Sequence, residues 1–204
     1  MEIFKIFIAV LIGYLLGSFS SGYFFSKYFF KEDIRHYGSG NTGATNALRV
    51  YGKKIGLMTA LIDVFKGWLA VVLVGKILGQ EFGYIAGLAA LIGHIYPFYM
   101  KFKGGKGVAC AAGMILAIDG RIFCLVAIIF FTVALLTRYV SLASMSAAVC
   151  MLIATVLLRS IEEKYLFTAV LLSVVLVIYK HKDNIKRLVA GNENKLSFEK
   201  KGQR

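Results

Sequence analysis

Seven apolar runs take up most of this 204-residue chain, at about residues 4–27, 55–79, 83–100, 106–118, 121–137, 142–158 and 164–180. A helix needs roughly 20 apolar residues to cross a bilayer. A chain with this many such runs has too little polar surface to enclose them in water. Composition agrees: 58% of residues are hydrophobic and 17% charged, with mean hydropathy +0.72, where a soluble domain is about half apolar and a quarter charged. The expectation is an all-α integral membrane protein, one domain over 1–204, with seven transmembrane helices. The fourth, "GVACAAGMILAI", is too short to cross about 30 Å unaided and is expected to be short or broken. Six spans and a re-entrant piece are the alternative. At the N-terminus, Lys5, an apolar stretch and "GSFSSG" look like a signal peptide. The run resumes at Tyr23-Phe24-Phe25, however, and its positive charge follows at Lys27 and Lys31, so it reads as a first span that stays.

Seven spans sort the charges. One side receives Lys27, Lys31, Arg35, Arg49, Lys53, Lys54, Lys101, Lys103, Lys106, Arg138, Lys180, Lys182, Lys186, Arg187, Lys195, Lys200, Lys201 and Arg204, which is 18 of the 24 Lys and Arg. The positive-inside rule makes that side cytoplasmic, with the N-terminus outside and the C-terminus inside. The other loops are terse: "GQEF", "DGR", "RSIEEK". The net charge of +13 would suggest nucleic acid in a soluble protein, but stacking and base-reading modules are missing and the aromatics lie within apolar runs. Gly13, Gly17 and Ser21, and Gly83 and Gly87, repeat every four residues, a spacing that lets membrane helices pack closely.

The unusual chemistry sits in polar islands at about 28–54, 99–107, 138–141 and 179–204, all on the basic side. The first holds "HYGSGNTGATNALRVYGKKIG". Glycine and asparagine accept positive φ, so consecutive N–H groups can turn inward around an anion. Asn41, Thr42, Thr45 and Asn46 add side-chain donors, and a following helix start would add partial positive charge. A plain flexible loop is the simpler reading, but long loops in a chain of terse ones are usually functional. In the second, "YMKFKGGKGVACAAG", Gly104, Gly105 and Gly107 allow close approach of backbone to a ligand and Lys106 supplies a point charge. Topology anchoring explains the lysines but not the glycines. Upstream, Pro97 should end or kink a helix and free a carbonyl, with His94 a structural partner to it or to a neighbouring helix. In the last island His181 and Asn184 share a face if the helix continues. Asp63 and Lys66, at i and i+3 inside a span, are expected to form a structural ion pair.

Several chemistries find no footing. Cys110, Cys124 and Cys150 lie in apolar runs without CxxC spacing, so neither disulfide nor metal site is expected. The histidines 36, 94 and 181 lack zinc-ligand spacing, no GxSxG elbow occurs, and "HYGSGN" lacks the acidic residue of an HxxxxD pair. What can be assembled is a cationic pocket with two glycine nests beside lipid, suited to two phosphate groups.

"GSGNTGATNALR", "GHIYPFYMKFKGGKGVA" and "HKDNIKRLVAGNENK", with "DVFKG" and "RYVSL", resemble in order the motifs of the bacterial acyl-phosphate:glycerol-3-phosphate acyltransferase (PlsY) family, over residues 13 to 196. The resemblance implies a seven-helix protein of the bacterial cytoplasmic membrane, active on its cytoplasmic side. It implies transfer of a fatty acyl group from acyl phosphate to the 1-hydroxyl of glycerol-3-phosphate, giving lysophosphatidate and phosphate, without a cofactor or obligate protein partner. By motif position Ser39 and Arg49 are required. Gly40, Asn41, Thr42, Gly43, Ala44 and Thr45 hold the donor phosphoryl group, with Asn46 beside them. Lys106, with Lys103, Gly104, Gly105 and Gly107, binds phosphate. Ser141, His181 and Asn184 contact glycerol-3-phosphate, and Glu193 is structural. Two other readings stay open on residues alone. One is an organophosphate transporter, for which no midplane site or internal repeat is visible. The other is a non-catalytic lipid-binding protein using its basic tail.

Overall fold

A computed structural model describes residues 1–159 and 163–196. Lys200, Lys201 and Arg204 of the basic tail, and part of "RSIEEK", lie outside the described residues. Those described form ten α-helices and two short 3-10 turns: α1 (Glu2–Ser18), α2 (Ser21–Phe29), α3 (Ala44–Tyr51), α4 (Lys53–Leu78), α5 (Gln80–Ile95), α6 (Val108–Ile118), α7 (Gly120–Thr137), α8 (Val140–Leu158), α9 (Lys164–Lys180) and α10 (Lys182–Val189). The apolar runs become helices within a few residues of their expected limits.

Four helices are individually long and apolar enough to cross a membrane, and six segments are if the bent pairs α1–α2 and α9–α10 each count once. α6 has 11 residues, about 16 Å of helix, roughly half the thickness of a bilayer core. The molecule is a multi-pass membrane protein.

The first apolar run is not one helix. It bends by 40° between α1 and α2, which exposes backbone groups that hydrocarbon cannot satisfy. The Tyr99 hydroxyl accepts from Ser20 N (3.0 Å) and donates to Ser18 O (2.9 Å), and Lys66 Nζ donates to Phe19 O (2.6 Å). Ser21 therefore leaves the small-residue stripe expected of it and hydrogen-bonds Asp63 Oδ1 at 3.0 Å.

α5 is central, packing against α1, α4, α6 and α9. Without a hydrophobic drive between helices in lipid, close contact does the work. A methyl group placed on Gly13 or Gly17 of α1 would strike the backbone of Ala86 or Ala90 on α5. Between α4 and α6, Gly67 meets the Cys110 carbonyl and Gly113 meets the Val64 carbonyl. A second core joins α6 to α9 through Met114, Ile115, Ile122, Met151, Leu166 and Val170. Outward-facing Ile128, Phe131, Leu135 and Leu136 give α7 a broad exposed apolar surface.

Candidate active site

The loops 30–43, 96–107 and 190–196 gather at one end of the bundle, where a cavity of about 350 Å³ opens. Its wall collects Ser39, Arg49, Lys106, Ser141, His181 and Asn184, residues up to 145 positions apart in sequence that were expected at one site. The mouth is polar and the depth apolar, lined by Phe123, Val126 and Phe130 of α7, Ala147 and Met151 of α8, and Ala111 of α6.

Two helix starts face the cavity. α3 begins at Ala44 and α6 at Val108, and Ala44, Thr45, Val108 and Ala109 all line the wall. First-turn N–H groups have no partner within their own helix and carry partial positive charge. α6 can start so abruptly because Gly107 takes φ +86°, a conformation with a steric cost for other residues.

Asn46, buried at the foot of the first loop, shapes it. Its Oδ1 accepts from Ser39 N at 2.8 Å, and its Nδ2 donates to Tyr37 O at 3.0 Å and Asn41 O at 2.8 Å. Those bonds consume the donors expected to meet an anion, so Asn46 builds the nest instead. Asn41 Oδ1 accepts from Gly43 N at 2.8 Å, tightening the turn into α3. Arg49, one turn further along α3, has no hydrogen-bond or ion-pair partner among the described residues and reaches the wall. Gly40 and Thr42 are off the wall. Thr42 is buried, and its hydroxyl has no partner among the described residues.

Opposite stands a connected polar chain. Lys106 Nζ donates to Asn184 Oδ1 in a short contact. Asn184 Nδ2 donates to Glu193 Oε1 at 2.6 Å, Ser141 Oγ to the same oxygen at 2.8 Å, and Arg187 Nε to Oε2 at 2.7 Å. Glu193 thus ties together three side chains from α8 and α10. Burial pushes its carboxyl up, but the hydrogen bonds from Asn184, Arg187 and Ser141 outweigh that and hold it below the usual value. Lys106 is brought down to about 8, chiefly by burial; Glu193 opposes the shift while Arg187 and Arg49 add to it. His181 caps α9 where the chain bends 53° into α10. Its Nδ1–H donates to Val177 O at 2.7 Å, which leaves Nε2 as the acceptor on a ring that lines the cavity.

Lys103, Gly104 and Gly105 do not line the cavity. The two glycines pack against α5: a methyl on Gly104 would meet the His94 carbonyl and the Pro97 ring, and one on Gly105 would meet His94 Nε2. The carbonyls left open by the end of α5 at Pro97 are filled by this turn, Gly105 N to His94 O and Gly104 N to Ile95 O, both 3.0 Å. The expected Asp63–Lys66 ion pair is present, 2.9 Å, and Asp63 and His94 reach the wall while Lys66 stays behind it. Ser144 and the apolar floor from α7 and α8 also belong to the wall. Sequence reasoning missed them, because a serine or phenylalanine inside a span carries no sign of which face it occupies.

The glycerol-3-phosphate acyltransferase family model matches residues 7–191. The chain belongs to that family. The glycerol-3-phosphate acyltransferases of Staphylococcus aureus strains JH9 and Newman are each 42% identical to it over 95% of this chain and 98% of theirs. Two crystal structures of PlsY (YgiH), an integral membrane glycerol 3-phosphate acyltransferase, have the same fold. The glycerol 3-phosphate form aligns with TM-score 0.88 and 33% identity, covering 94% of this chain and 96% of that one. The lysophosphatidic acid form aligns with TM-score 0.85 and 32% identity. In this acyltransferase the matched region takes in the loops 30–43 and 96–107 and ends at the start of the third, 190–196.

Proposed function

We propose that this chain, acting as one membrane domain, transfers a fatty acyl group from acyl phosphate to the 1-hydroxyl of glycerol-3-phosphate, releasing lysophosphatidate and phosphate. The observation that carries the reading is the convergence of two helix starts and two cations, Arg49 and Lys106, on a cavity with a polar mouth and an apolar depth. That combination fits a substrate pair with two phosphates and one hydrocarbon chain. The related proteins named for glycerol-3-phosphate and lysophosphatidic acid support the acceptor and the product.

In this reading the α3 start, with Ser39, Asn41, Gly43 and Thr45, holds the donor phosphoryl group, and Arg49 balances its charge. Lys106 and the second amide hydrogen of Asn184 hold the acceptor phosphate, while His181 Nε2 and the Ser141 oxygen, whose hydrogen is committed to Glu193, accept from glycerol hydroxyls. The 1-hydroxyl oxygen attacks the acyl carbonyl, and the carbon–oxygen bond to phosphate breaks. Acyl phosphate is a mixed anhydride with a good leaving group, so the enzyme has mainly to align the partners and stabilise negative charge. The departing phosphate takes the hydroxyl proton. Neither metal nor thiol has a part in these steps, and turnover is expected to survive a chelator and a thiol reagent together.

The topology belongs to the same proposal. Six apolar segments plus the half-length α6 make seven crossings, with the N-terminus outside and the basic C-terminus and cavity mouth facing the cytoplasm of a bacterium. The positive-inside rule supports this orientation. No obligate protein partner is invoked.

The deciding experiment supplies purified protein with glycerol-3-phosphate and either palmitoyl phosphate or palmitoyl-CoA. Lysophosphatidate and free phosphate from the acyl phosphate alone are expected. Product only from the CoA ester would make the donor assignment wrong. No product with either, alongside flux of glycerol-3-phosphate into proteoliposomes, would favour a transporter.

A further inference from the structure

A charged cluster lies buried between α2, α4 and α5, with Asp63 and His94 at the cavity wall and Lys66 behind it. Asp63, Lys66 and His94 are each at most 5% exposed. Lys66 Nζ donates to Asp63 Oδ1 at 2.9 Å, to His94 Nδ1 at 2.8 Å and to Phe19 O at 2.6 Å. An ammonium cannot accept, so Nδ1 carries the lone pair and the other edge of the imidazole, Nε2, faces Gly105. Such clusters are costly in a membrane helix, and a buried ion pair is weak evidence of a stabilising role.

Its placement gives it another use. The turn that presents Lys106 rests on His94 twice, through the ring beside Gly105 and through the carbonyl that accepts from Gly105 N. Just upstream that turn passes through two consecutive non-glycine residues in the left-handed region, Lys101 (φ 55°) and Phe102 (φ 57°). Such backbone persists where its surroundings hold it. We propose that Asp63, Lys66 and His94 are positioning residues for Lys106: the ion pair fixes the imidazole, and His94 fixes the Gly104–Gly105 turn that delivers the ammonium to the cavity. The inference rests on the reading that Lys106 binds the acceptor phosphate.

A double-mutant cycle on glycerol-3-phosphate binding, measured by calorimetry on the purified protein, separates positioning from general stabilisation. Lys66→Met is expected to weaken binding about tenfold in the native background and by less than about twofold in Lys106→Gln, because contacts acting through one group are not additive. Gly105→Ala, whose added methyl meets the His94 ring, is expected to behave alike and serves if Lys66→Met does not fold. Equal losses in both backgrounds, with Lys106→Gln itself weakened, would overturn this inference alone. Unchanged binding in both Lys66→Met and Gly105→Ala would overturn it too. Unchanged binding in Lys106→Gln would remove the phosphate role of Lys106 and this inference with it.

Discussion

Lys106 illustrates how much a single side chain owes to its surroundings. Its half-buried ammonium is held near 8, so it is charged below that pH and loses its proton as pH rises through it. Affinity for a phosphate-bearing acceptor should therefore be full below about 8 and decline above. The KM for glycerol-3-phosphate is expected to rise across that pH range in the native protein and to stay level in Lys106→Arg, since guanidinium remains charged. Arg49 differs, with no hydrogen-bond or ion-pair partner among the described residues to leave when substrate arrives. Arg49→Ala should cost roughly 10²–10³ in kcat, the scale for removing one donor to developing negative charge, with little change in thermal stability. Asn46 exerts its effect through backbone. Asn46→Ala would remove the side-chain hydrogen bonds to Ser39, Tyr37 and Asn41 that pin the loop, at about 0.5–1.5 kcal/mol for each bond. Faster proteolysis within residues 36–46 and lower kcat/KM should appear together.

At the level of helices, packing is set by what is missing from side chains. Gly113→Val should force α6 off the Val64 carbonyl and destabilise the protein by about 1–3 kcal/mol, the usual cost of overpacking. The measurement is thermal unfolding in detergent. Gly120→Ala, where no neighbouring atom lies within 4 Å of the added carbon, should leave the midpoint unchanged. Helix limits were legible in the sequence because apolar runs in lipid have few alternatives to helix. The short α6 was legible from its length, and the Asp63–Lys66 pair from its spacing. The bend at Phe19–Ser20 was not. The groups that make it tolerable, Tyr99 and Lys66, come from distant sequence. The same holds for Gly104 and Gly105: glycine reports that something comes close, and here it is His94 rather than a ligand. Likewise Asn46 could be recognised as polar and functional, but its neighbours decide whether its donors face inward or outward.

For the whole molecule, the proposed seven crossings put the turns at Gly79 and Asp119 on the face opposite the cavity mouth. In a variant without Cys110, Cys124 and Cys150, a cysteine introduced as Gly120→Cys should react with an impermeant reagent only from outside the cell. Lys103→Cys should react only from inside, and labelling of both from one side would mean that α6 does not carry the chain across between them. The helix starts at Ala44 and Val108 have a consequence for the design of inhibitors. Main-chain N–H groups are present whatever side chain a codon specifies, proline excepted. An inhibitor whose anion is held chiefly by those groups would meet few single substitutions that remove its contacts. One that relied on Lys106 or Ser141 would leave resistance an open route wherever a substituted side chain still permits turnover.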